Sequence, residues 1–101
     1  MNPKIKQLLE TCKAVAPSCV FKIYDSEAHV ITTADISAAL AAMDGGDDVA
    51  EITVKDGKNI LGCFACMPYG DEDEAVYDCA DNVFCNTVCE RMEAAENLKN
   101  N

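Results

Sequence analysis

The sequence has one histidine, His29, and eight basic residues against eighteen acidic ones. It contains no Gly-x-Ser-x-Gly elbow, no His-Glu-x-x-His pair and no glycine loop able to cradle a phosphate, so none of the motif-marked hydrolase, zinc-protease or nucleotide-binding chemistries is indicated. No apolar run approaches the roughly 18 residues a membrane span needs. The opening Met1-Asn2-Pro3-Lys4-Ile5-Lys6 lacks the apolar region of a secretory signal, which points to a cytoplasmic protein without a membrane partner. The shortage of positive charge has the widest consequence. A net charge of −10 repels nucleic acid, so no direct nucleic-acid binding is expected. It attracts basic protein surfaces, including those that normally hold nucleic acid. The charge is uneven: residues 1–22 carry +3 and residues 23–101 carry −13.

What is present is a chain of 101 residues, half of them hydrophobic, enough for one α+β domain over 1–101 with its own core and no staples. Seven cysteines, an odd number in a reducing compartment, argue for free thiols or metal ligands rather than a disulfide framework.

Ile5, Leu8, Leu9, Cys12, Val15 and Ala16 recur at helical spacing, predicting an amphipathic helix over 3–16 that Pro3 opens and Pro17 ends. From Cys19 the period becomes two, and a turn at 25–28 predicts a hairpin. Thr32 or Thr33 is placed to cap a second helix whose apolar face is Ile36, Ala39, Leu40 and Met43, with Gly45-Gly46 ending it. Residues 49–54 alternate, Asp56-Gly57 signals a tight hairpin, and 59–67 return. A two-residue loop at Asp56-Gly57 would pair Ile52 with Leu61. It would put Ala50, Ile52, Val54, Leu61, Cys63, Ala65 and Met67 on one face, with Ile60, Phe64 and Cys66 on the other. A short edge strand over 75–79 and a last helix follow. Asp81 or Asn82 caps that helix, and Phe84, Cys85, Val88, Met92 and Ala95 form its stripe. The order α-ββα-ββα, with one added edge strand, predicts a four- or five-stranded antiparallel sheet with three helices mainly on one face.

Cys63, Cys66, Cys79 and Cys85 are the candidate ligands of a structural zinc, which would make the chain a small cysteine-rich interaction module. Against that, two residues between Cys63 and Cys66 in an extended strand send the two thiols to opposite faces, unless the strand ends early. A thioredoxin-like role needs the motif at a helix start, and Met67-Pro68 follows instead. The preferred reading is buried thiols, no cofactor, no catalytic residue and no enzyme.

The remaining feature is acidic surface. Asp44, Asp47 and Asp48 lie in one loop and Asp71, Glu72, Asp73 and Glu74 in another. With Asp78 and Asp81 they form a continuous patch if both loops sit at the same end of the sheet. Carboxylates on a rigid scaffold can stand where nucleic-acid phosphates would, making the protein a DNA mimic. Tyr69, Tyr77 and Phe64 are the candidate apolar anchors beside them.

The stretch Asp56-Gly57-Lys58-x-Ile60-Leu61-Gly62-x-Phe64, followed by Tyr77-Asp78-x-Ala80-Asp81-Asn82-x-Phe84-Cys85, resembles small proteins encoded by phages and mobile elements. In size, acidity and lack of catalytic residues the chain is similar to anti-CRISPR proteins. That resemblance implies a phage protein acting in the host cytoplasm, an inhibitor that binds a CRISPR effector complex through protein-protein contacts and blocks target DNA recognition. The class shares no common signature, and no functional residue is carried over from it.

Overall fold

The computed structural model describes residues 1–26, 28–44, 49–71 and 75–99, the side chain of Lys99 excepted. The elements are α1 (Pro3–Val15), β1 (Val20–Asp25), β2 (Ala28–Thr33), α2 (Ile36–Met43), β3 (Ala50–Asp56), β4 (Asn59–Cys66), β5 (Val76–Cys79) and α3 (Val83–Lys99). Helix α1 starts where expected because Pro3 follows Asn2, whose Oδ1 accepts from the Lys4 N–H at 2.9 Å. Its stripe buries Ile5, Leu8, Leu9 and Cys12. Helix α2 is capped by Asp35, whose Oδ1 accepts from the Ser37 N–H at 2.9 Å. Neither Thr32 nor Thr33 takes that role. Thr33 instead accepts from the Asp35 N–H through its Oγ1. The Gly45-Gly46 stop lies outside the described residues.

The five strands form one antiparallel sheet in the order β2-β1-β3-β4-β5, giving the α+β class and the edge strand the sequence predicts. The core joins Phe21 and Ile23 of β1, Ile52 and Val54 of β3 and Phe64 and Cys66 of β4 to Ile5, Leu8 and Leu9 of α1, Met43 of α2 and Val88 of α3. All three helices therefore cover one face of the sheet, and the other face is open.

The β3–β4 hairpin departs from expectation in two steps. Its loop is Gly57-Lys58, closed by Asp56↔Asn59, and Gly57 has φ +62, a conformation that glycine adopts without Cβ strain. That slide by two residues would leave every face unchanged. Leu61, however, has no partner between Lys55↔Ile60 and Val54↔Gly62, and this one-residue bulge turns the rest of β4 over. Ile52 consequently pairs with Phe64, not Leu61. Phe64 and Cys66 enter the core, and Cys63 emerges exposed on the open face opposite Thr53.

The bulge also docks α3. The Leu61 carbonyl accepts from Asn82 Nδ2 at 3.2 Å, while Asn82 Oδ1 accepts from the Cys85 N–H at 2.8 Å as an N-cap does. A Cβ on Gly62 would run into the Cys85 sulfur and lie 3.1 Å from Phe84 Cδ1. Glycine is thus what lets the helix start sit this close to the strand.

Candidate functional site

The last rungs at one end of the sheet are Asp25↔Ala50, Ala50↔Cys66 and Cys66↔Val76. The turn after β1, the segment entering β3 and the loop between β4 and β5 therefore all leave from the same end. Asp44, the residue following α2, is exposed there and accepts a hydrogen bond from the Tyr69 hydroxyl. The two loops expected to carry the acidic patch are thus linked side chain to side chain. Asp71 is exposed beside this link. Asp47, Asp48, Glu72, Asp73 and Glu74 lie outside the described residues.

The Tyr69 loop has a defined shape. The Gly70 N–H donates to the Met67 carbonyl at 3.0 Å, closing a turn over buried Pro68, and the Met67 N–H donates to Ala75 at 2.9 Å. Asn2 holds this turn from the side. Its backbone N–H donates to Pro68 O at 2.7 Å and its Nδ2 to Gly70 O at 3.1 Å. One residue thus caps α1 and fixes the loop that presents Tyr69. The sequence gives no sign of this, because the partners lie 68 residues apart. Lys4 enters the same end and pairs with Glu96 of α3 at 3.7 Å. Both side chains are partly solvated, so the pair adds little stability.

Asp78 and Tyr77 lie on edge strand β5. Asp78 opposes Ala65, which opposes Glu51, so two exposed carboxylates flank one small residue on the open face. Together with Thr53 and Cys63 they line a shallow depression of about 290 Å³. Glu51 is an addition to the expected patch. Period-two pairing with Tyr24 and Ala65 would have located it, had the β4 register been read correctly. Tyr77 falls at the irregularity between Asp78 and Val76 and is 49% exposed. Two expectations fail. Phe64 is 1% exposed and cannot be a surface anchor. Asp81 lies beyond β5 toward the hairpin end, where it accepts from Asn86 Nδ2 at 3.3 Å, so the patch does not extend to it. Asp25 joins the acidic end instead.

The zinc candidates are not brought together. Cys63 is on the open face, Cys66 is buried on the core face opposite Ala50, and the Cys85 sulfur points to the Cys63 carbonyl at 3.8 Å. Among the described residues, no three His, Cys, Asp or Glu side chains are grouped to hold a metal. Burial pushes the Cys66 thiol up to about 12 and the Cys89 thiol up to about 11, and it raises Cys12, Cys19 and Cys85 as well. An activated cysteine nucleophile needs the opposite shift. His29 shares a 3.0 Å hydrogen bond with Thr32 Oγ1 and lies 5.6 Å from the Tyr24 ring. Three strand spacings, about 14 Å, separate β2 from β4 and its Cys63. Among the described residues, no helix is long and apolar enough to cross a membrane.

No protein-family model, curated protein or solved structure matches this chain.

Proposed function

We propose that this chain is a non-enzymatic inhibitor that binds a basic, nucleic-acid-handling protein surface. Its most concrete form is an anti-CRISPR protein that blocks target DNA recognition by a CRISPR effector complex. The observation that carries the reading is the hydrogen bond from Tyr69 to Asp44, which joins two acidic loops at one end of the sheet. Carboxylates held on a fixed frame can meet lysine and arginine side chains at lower entropic cost than a mobile acidic tail. Tyr69 and Tyr77, 55% and 49% exposed, supply the amphipathic contact area that charge alone lacks. At the opposite end Lys55 and Lys58 beside the tight hairpin offset Asp56 and Asp81, so the end carrying Asp25, Asp44 and Asp71 would be the one to approach a basic groove.

The test is inhibition of target DNA binding by a purified effector complex. Asp44→Lys combined with Asp71→Lys should weaken inhibition roughly tenfold or more, and rising salt should weaken it further. Lys55→Glu with Lys58→Glu, at the other end, should not. Equal inhibition by the acidic-end variant and the native chain would remove the proposed surface.

A further inference from the structure

Cys79 and Cys89 are the two cysteines whose sulfurs touch. Their Sγ atoms lie 3.9 Å apart, one on edge strand β5 and the other on α3. Four of the remaining five thiols face something else: Cys85 meets the Cys63 carbonyl, Cys19 the Cys12 carbonyl, Cys66 the Ala50 carbonyl, and Cys63 the Thr53 hydroxyl, while Cys12 is buried in the core. Both members of the pair are half-exposed, and solvent approaches from two sides. Cys79 lines the depression shared with Glu51 and Asp78, while Cys89 lines a second one beside Lys4 and Met92.

We infer that Cys79 and Cys89 are a modification site at which a hydroperoxide forms an intramolecular disulfide between β5 and α3. Cys79, on the edge strand and lining the depression on the open face, meets the oxidant, and Cys89 on α3 is the resolving thiol. The Cys79 thiolate attacks the distal oxygen of the hydroperoxide; the O–O bond breaks, the alkoxide leaves and takes up a proton to become the alcohol, and the distal oxygen stays on Cys79 as a sulfenic acid. The Cys89 sulfur then attacks that sulfur, the S–S bond forms, and water leaves. Two electrons pass from the sulfurs to the peroxide, and both thiol protons end in the alcohol and water. The sulfurs must close by nearly 2 Å to reach bonding distance, which side-chain rotation and a small strand movement supply. Strand β5 suits that movement: it is four residues long and is paired on one side only, to β4 through Phe64↔Cys79, Ala65↔Asp78 and Cys66↔Val76. Once formed, the bond fastens this edge strand to the helix layer.

The experiment exposes the reduced full chain to hydrogen peroxide and alkylates it in denaturant. Two of the seven thiols should become unreactive, the intact mass should fall by two hydrogens, and the melting temperature should rise by roughly 5–10 °C. Cleavage before aspartate separates Asp78 to Ala80 from the peptide beginning at Asp81, so a Cys79 link appears as a joined pair of peptides. Cys85→Ser should keep the joined pair; Cys89→Ser and, independently, Cys79→Ser should abolish it. A dominant link through Cys63 or Cys85 would overturn the assignment. So would oxidation of Cys79 to sulfinic acid without a link, or retention of all seven thiols while the exposed Cys63 of an unfolded control is oxidised.

Discussion

The two faces of the β3–β4 hairpin share one backbone and have opposite characters. Beneath α1 and α3 lie Ile52, Val54, Phe64 and Cys66, all 1% exposed or less. On the other side, one residue along each strand, lie Glu51, Thr53, Cys63 and Ala65, open to solvent or half-covered. Composition does not separate the sets on β4, where cysteine, alanine and phenylalanine are all admissible core residues. The difference is made by a single unpaired residue, Leu61, which decides which half of an apolar strand meets the helices. Side-chain identity sets how much a residue gains from burial, but register decides whether it is buried.

The largest effect that can test this contrast is Phe64→Ala. It should cost about 3–5 kcal/mol in chemical denaturation; a loss below about 1 kcal/mol would mean that Phe64 does not stand in the core. Alkaline pH comes next. Burial raises Cys66 from the ordinary value of 9.0 to about 12, so between those values the native state holds a proton that the unfolded chain has released. Its contribution to stability is complete below pH 9 and is lost as pH rises toward 12. Denaturation midpoints should fall across that window, and Cys66→Ala should flatten the fall. The smallest effect belongs to the open face: Cys63→Ser should stay within about 0.5 kcal/mol of the native chain in the same denaturation assay. A larger change would place Cys63 under cover.

Much of the architecture was legible because it depends on local signals. Proline at the start of α1, the alternation after Cys19, the apolar stripe of α3 and Asn82 before it all predict their elements correctly. The short strand β5 is also where the sequence puts it. The β4 register was not legible, since Ile60 through Cys66 is apolar or small at every position and so carries no alternation to read. Gly62 was the one available sign that the strand departs from regularity there. For the acidic end, the sequence supplies the two loops and the tyrosine, but their meeting depends on strand direction and on Asn2, a contact made across nearly the whole chain. Asp81 falls outside the patch because β5 runs away from the acidic end, a direction that its nearness in sequence to Asp78 hides.

The contact between Asn2 and the 68–70 turn has a practical consequence for how the molecule is handled. With Asn2 at the acidic end, and Glu96 of the last helix reaching Lys4 beside it, a bulky label at position 2 or 96 would sit against the loops proposed to dock, shading them and altering their charge. The Gly57-Lys58 hairpin projects from the far end, with open space around Gly57. An epitope, fluorophore or surface tether carried there would leave the acidic end facing outward.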